Sequence, residues 1–418
     1  MAVLASATGS QASAADAPSS AERRAIMRLI AENWRETQGA DGFLPYGFDF
    51  LADRATDDPA SSGYIIREAG TFHGWAKYYR FSGDDRYREP IRRGIEELAR
   101  RSIPVGKSRT QAWLEATRIL SVPVGRMTLA AALKRSGLLY RPTGPGKLVS
   151  ADGRYETARA GTTALALLAE LAYSQTSGDD RFADLRSSWL DGLLMLQIPG
   201  GGFRESPTSI EDSEYYNGEA WLALAVYADL HRNDRRVLRA LTEIDRALMQ
   251  RYGEHPSTWF YSWGAMAAAE RWRTTADRRF LDFVRQQTQV VVLRFEKQPL
   301  PDDNNCAAME GLATALGLMA KAGDEDSELA QRVRAYLSRE VSKLPRLQIP
   351  IGETRMPLGG DAYFASPRLA RFGGAFLLGV FQPVTRVDAA LHCLSALMLI
   401  DEQVRLDPGP RAPASMKR

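Results

Sequence analysis

Four polar loops, each running into an apolar helix, hold most of the residues in this chain that could do chemistry. The richest is Glu211-Asp212-Ser213-Glu214-Tyr215-Tyr216-Asn217-Gly218-Glu219. The others are Ser257-Thr258-Trp259-Phe260-Tyr261, Pro301-Asp302-Asp303-Asn304-Asn305 and Arg386-Val387-Asp388. Helix capping accounts for Asp388 and Asn305, because Asp, Asn and Ser are preferred at helix starts. It does not account for the Tyr, Trp and Arg beside them. When the helices are aligned on their apolar runs, Glu219, Glu310 and His392 fall in register. At 1.5 Å of rise per residue they lie roughly 5–10 Å below the loops. Buried charges need partners, so three at matching depth predict a polar floor to a central cavity, or a structural network of the same groups. His73, in Thr71-Phe72-His73-Gly74-Trp75, is a further candidate whose register is open. Such groups suit acid–base catalysis by paired carboxyls, or proton abstraction by His with Tyr as the assisting acid.

These residues are positioned by a helical hairpin repeated about six times over 418 residues. The apolar helices fall at about 62–80, 157–176, 216–231, 258–273, 305–321 and 386–402, and the charged partners near 84–101, 180–197, 234–251, 277–293 and 325–343. Breaks such as Gly83-Asp84-Asp85, Gly178-Asp179-Asp180, Asn233-Asp234 and Gly323-Asp324 separate them. The missing sixth partner is a helix at about 21–37, with Ile26, Leu29, Ile30 and Trp34 at helical spacing. A ring closed by that helix uses every element, whereas an open solenoid needs polar capping units at its ends. Two segments interrupt the pattern. Residues 103–155 hold an amphipathic stretch and a Pro/Gly loop, and residues 345–385 are Pro- and Gly-rich with little helical period.

The composition is 44% hydrophobic and 25% charged, ordinary for a globular chain. A net charge of +3 gives no case for nucleic acid. No apolar run approaches the roughly 18 residues that span a bilayer. Ala12-Ser13-Ala14 matches the small-x-small pattern before a signal-peptidase cut, so a periplasmic or secreted protein is expected.

The six apolar helices, together with the turn Leu194-Met195-Leu196-Gln197-Ile198-Pro199-Gly200-Gly201-Gly202-Phe203, resemble the six-hairpin glycosidase-like superfamily of (α/α)6 toroids over about residues 20–403. The resemblance implies an all-α, single-domain (α/α)6 toroid over 21–403, between tails at 1–20 and 404–418. It implies a substrate groove where loops lead into the inner helices, and carbohydrate as the substrate class. Members include glycoside hydrolases, uronyl hydrolases, polysaccharide lyases and sugar epimerases, so the fold leaves the reaction open.

Glycosidic hydrolysis is the first expectation. It needs two carboxyls, about 5–5.5 Å apart for retention and about 6.5–9.5 Å for inversion. Glu214 or Glu219, Asp302 or Asp303, and Asp388 are available; the preferred pair is Glu219 with Asp303, with Asp388 in reserve. Tyr215, Tyr216, Trp259 and Tyr261 offer flat faces to sugar rings or serve as core. Arg204, Arg386 and Arg67 suit a bidentate carboxylate or sulfate contact, or pair with nearby acids. Asn305 and Glu214 complete the expected substrate contacts. The alternatives are a uronate lyase or epimerase using His392, His73, Tyr216 and Tyr261, and a non-catalytic glycan-binding protein of a polysaccharide export system. No cofactor and no metal are expected. Cys306, His392 and Cys393 depart from the two-Cys, one-His zinc site of lanthionine-synthetase cyclases, which are also α-toroids. Adjacent helical residues point about 100° apart, and Cys306 reads one turn above Glu310, not level with Cys393. The same mismatch weighs against a disulfide.

Overall fold

Two kinds of helix alternate along the chain, and burial separates them. The computed structural model describes residues 3–4, 17–56, 61–106, 122–124, 127–129, 144–297, 303–359, 362–404 and 406. Among them are twelve α-helices. In chain order they are α1 (Ser20–Thr37), α2 (Ser62–Ser82), α3 (Arg88–Arg100), α4 (Ala160–Ser177), α5 (Ala183–Leu196) and α6 (Glu214–Leu230). There follow α7 (Arg235–Glu254), α8 (Thr258–Thr275), α9 (Arg278–Lys297), α10 (Cys306–Lys321), α11 (Glu328–Leu347) and α12 (Val387–Gln403). In α4 every residue from Ala160 to Tyr173 is buried. In α7 only a stripe is buried, including Val237, Leu241, Ile244 and Leu248. A helix that is apolar all round belongs inside, and one with a single apolar stripe belongs on the surface.

The even-numbered helices form the inner ring. α2 packs on α4, α4 on α6, α6 on α8, α8 on α10, α10 on α12, and α12 returns to α2. The odd-numbered helices lie outside, with α1 against α12 as the sixth outer partner. The Gly breaks act as helix stops: Gly83 and Gly178 sit at φ 65° and 67°, the left-handed cap that glycine adopts without a Cβ penalty. Asp234 caps α7 by accepting from the backbone N–H of Arg236 and Val237.

Eleven short strands lie among the described residues: β1 (Val3–Leu4), β2 (Gly47–Asp49), β3 (Arg54–Ala55), β4 (Ser102–Val105), β5 (Pro123–Val124), β6 (Met127–Thr128), β7 (Gly146–Val149), β8 (Arg355–Gly359), β9 (Ala362–Ala365), β10 (Leu377–Gly379) and β11 (Gln382–Arg386). The segment without helical period is therefore β-structure. The antiparallel sheet in the order β10-β11-β2-β3 bears most directly on the site, because β11 runs straight into α12.

Three boundaries differ from expectation. β1 pairs with Phe364 and Ala365 inside the region expected as a tail. The capping box of α1 uses Ser19 with Glu22. Val404 and Leu406 are buried, so packing continues past 403. Trp113, Ile119, Leu120 and Leu139 of the expected amphipathic stretch lie outside the described residues. The cysteines also correct the sequence reading: Cys306 and Cys393 form a disulfide, with Cα atoms 4.7 Å apart.

Candidate active site

The loop ends of α6, α8 and α12 meet at the N-terminal face of the inner ring. The register of β11 on β2 places Arg386 opposite Gly47, immediately before the first turn of α12. Only a glycine fits there: a Cβ on Gly47 would lie 2.2 Å from the Thr385 carbonyl oxygen. Arg386 then folds onto Asp388, donating from Nε to Oδ1 at 2.8 Å and from Nη2 to Oδ2 at 2.7 Å. Arg67 of α2 donates from Nε to Oδ2 of the same carboxylate at 3.0 Å. The Arg67 guanidinium also lies 5.3 Å from the centre of the Tyr46 ring. Burial pushes the Asp388 carboxyl up, but the Arg386 bonds and the Arg386, Arg67 and His392 charges outweigh it and hold the group below its ordinary value.

One turn below Asp388 on the same helix face, His392 Nδ1 meets Glu310 Oε2 of α10 at 2.6 Å. Its Nε2 makes no hydrogen bond among the described residues. Burial lowers the His392 pKa, yet Glu310, and after it Asp388, raise it above the ordinary histidine value. The His392 ring packs 6.3 Å from Trp263, which lies 6.4 Å from His73.

From α6, Tyr215 reaches the same space. Burial raises its pKa first, and then the charges of Glu219, Glu310 and Asp388 add to it. Trp259 stands 68% exposed at the rim, 6.2 Å from the Tyr215 ring. Glu219 is only 1% exposed and its Oε2 has no hydrogen-bond partner. Burial pushes its carboxyl well above the ordinary range, so it is held as the acid. Gly161 of α4 makes this possible, since a Cβ there would fall 2.1 Å from Glu219 Oε2 and 2.5 Å from the Tyr216 ring. Tyr216 is half-buried beside it.

The structure therefore gathers Arg67, Tyr215, Tyr216, Glu219, Trp259, Arg386, Asp388 and His392 at one mouth. Several other candidates are used elsewhere. Asp303 is exposed and bridged through its backbone to Gly379. Asp302 lies outside the described residues. Tyr261 is 1% exposed, with its hydroxyl 2.9 Å from Thr288 Oγ1 in the core behind the ring. Asn305 donates to Glu340 Oε2 at 2.9 Å. Glu214 accepts from the Ser257 hydroxyl and so ties the starts of α6 and α8 together. The backbone of Arg204 pairs with Asp212 in the turn after α5. His73 faces away from the mouth, into a cavity below it. The disulfide takes both sulfurs out of any zinc-ligand set. Sequence reasoning missed Tyr46 and Trp263 as members of the site. Trp263 carried a signal, because it follows Trp259 by one turn. Tyr46 carried none, because a strand register delivers it.

Solved structures of similar fold include several enzymes. The α-1,6-mannanase GH76A from Salegentibacter sp. HEL1_6 superposes with a TM-score of 0.57 at 10% identity, covering 90% of this chain and 98% of its own. A D-mannose isomerase gives a TM-score of 0.58 at 12% identity, covering 91% and 97%. An unsaturated glucuronyl hydrolase specific for heparin gives 0.55 at 11% identity, also covering 91% and 97%. No protein-family model and no curated protein sequence matches the chain. The chain thus has the (α/α)6 toroid fold that these enzymes share.

Proposed function

We propose that this protein is a carbohydrate-active enzyme acting on a uronate-containing saccharide, with His392 as the base. The observation that carries the reading is the His392–Glu310 contact of 2.6 Å, which fixes the ring by Nδ1 and leaves Nε2 for substrate. A base so placed removes the proton on the carbon beside a uronate carboxylate, and Tyr215 can return a proton on the other side. Elimination or epimerisation follows, depending on whether a leaving group departs. Arg67 and Arg386 together outweigh the single negative charge of Asp388, which favours an anionic sugar at the rim. Trp259 supplies a flat face for the ring. The disulfide fits an oxidising compartment, in keeping with export to the periplasm or beyond.

A second reading is hydrolysis by Glu219 and Asp388, in place of Glu219 and Asp303. It is favoured by one observation: burial holds Glu219 protonated while two arginines hold Asp388 ionised. Carboxyls pushed apart in this way suit a general acid and its ionised partner.

The test is mass spectrometry of products from uronate and neutral polysaccharides, run in heavy water. Unsaturated fragments, or deuterium at the carbon beside the carboxylate, support His392, and His392→Ala should then lower turnover by about 10²-fold or more. Fragments carrying an added water, lost in Glu219→Gln and Asp388→Asn, establish hydrolysis instead. Saccharide binding without any product would leave a glycan-binding role, for example in polysaccharide export, and would overturn both enzymatic readings.

A further inference from the structure

Below the layer of His73, Trp263 and His392 the centre of the ring reopens. A cavity of about 480 Å³ lies among the C-terminal halves of the six inner helices, at the end opposite the mouth. From α2 it is lined by His73, Lys77 and Arg80, whose spacings of four and three residues put them on one helix face. Lys321 lines it from the end of α10, and Gln175 and Gln403 add amide groups. Leu222, Met266 and Leu318 form apolar wall. Two carboxylates, Asp229 and Glu270, are also present, but Arg273 pairs with both and Arg232 pairs with Asp229, so two arginine charges balance them.

The cations are therefore left over. Arg80 and Lys321 make no hydrogen bond or ion pair among the described residues, and Lys77 donates only to Ser395 Oγ at 3.2 Å. Basic residues in the last turn of a helix answer the helix dipole, which accounts for Arg80 and Lys321. It does not account for Lys77, which sits a turn deeper. Burial first, and then the Arg80 charge, push its ammonium down, while Glu310 and Glu402 partly restore it. An anion between these side chains would relieve that conflict. The volume falls within the range of about 300–1,000 Å³ that holds small ligands.

We infer that this cavity is a second binding site, which takes a small sugar acid through Lys77, Arg80 and Lys321, with the glutamines on its hydroxyls. The anion in this assignment comes from the cavity itself; the sugar part rests on the saccharide reading of the mouth.

The experiment is calorimetric titration of the full chain with glucuronate, glucose and inorganic sulfate. Wild type is compared with the double variant Arg80→Ala/Lys321→Ala and with His392→Ala. Both exposed positions of the double variant can lose their side chains without disturbing the core. Glucuronate should bind, glucose should not, and the double variant should weaken glucuronate by about tenfold or more. Binding should persist in His392→Ala, so a failed mouth would not be mistaken for a failed cavity. Glucuronate binding that the double variant leaves unchanged overturns the site. Binding that only His392→Ala removes places the ligand at the mouth and has the same effect. Sulfate binding without glucuronate overturns the sugar-acid assignment.

Discussion

Burial alone would lower the His392 pKa, and it is the Glu310 carboxylate at 2.6 Å that reverses this. The consequence for stability has a definite sign. Because the folded pKa is raised, the charged pair stabilises the fold fully below the ordinary histidine value of about 6.5, and that contribution is lost as pH rises through the folded value. For catalysis the direction is opposite. A base works deprotonated, so the rate should rise with pH through the raised value. Glu310→Gln removes the charge while keeping the shape. It should move that limb to lower pH and lower the plateau rate by about 10²-fold. Rate profiles of wild type and variant check this, and a limb that stays in place would remove His392 from the role of base. At this scale the sequence revealed residue types and depths, and so pointed to Glu219, Glu310, His392, Arg386 and Asp388. It did not reveal pairings. Asp303, expected as the partner of Glu219 on a different helix, is the example. Its loop is in fact pinned to β10 by Asn304 N–H donating to Leu378 O at 2.8 Å, a contact that local pattern cannot show.

Helices were the most legible elements, because an inner helix buried all round and an outer helix buried along a stripe differ in composition as well as period. The helix expected at 305–321 is Cys306–Lys321. The strands were illegible because their partners are remote: Arg386 pairs with Gly47 across most of the chain. The disulfide was misjudged for a related reason. Aligning inner helices on apolar runs assumes that they start at one level. Yet Cys306, the first residue of α10, bonds to Cys393, the seventh of α12, so the two helices are staggered. With the helices staggered in this way, His392 Nδ1 lies 2.6 Å from Glu310 Oε2. The bridge thus fixes the stagger that brings the two together. Cys306→Ser with Cys393→Ser should cost about 2–4 kcal/mol in urea unfolding, and reductant should produce the same loss in wild type only. Equal stability of the two proteins before reduction would show that helix packing sets the stagger unaided. A smaller effect belongs to the end of α8, where Ala276 takes the left-handed cap at φ 55° that Gly83 and Gly178 fill elsewhere. Ala276→Gly should stabilise the protein by about 0.5–1 kcal/mol, read as a higher urea midpoint with an unchanged slope.

The toroid as a whole depends on how its two ends meet. In an open solenoid each repeat touches only its neighbours, and an end can fray alone. Here α12 packs on α2 inside the ring, and α1 clasps α12 from outside. Among the described residues, the ion pairs of that clasp converge on one carboxylate. Asp401, with its side chain fully buried, accepts from Arg23 Nε at 2.8 Å, Arg24 Nε at 3.0 Å and Ser20 Oγ at 2.9 Å. Arg23 is itself nearly buried, so removing the acid leaves its charge unpaired, with only the Pro18 carbonyl at 2.7 Å still accepting from it. Asp401→Ala should therefore cost on the order of 3 kcal/mol. The form of the unfolding curve matters as much as its midpoint. Trp34 of α1 and Trp189 and Trp221 on the far side of the ring are all buried and report on separate arcs. If closure makes the ring one cooperative unit, their fluorescence and the far-ultraviolet dichroism will fall together in wild type. In Asp401→Ala they should still fall together, at lower denaturant. An early, separate loss of the Trp34 signal in the variant would instead mean that α1 is a detachable clasp on an inner ring that closes through α2 and α12 alone.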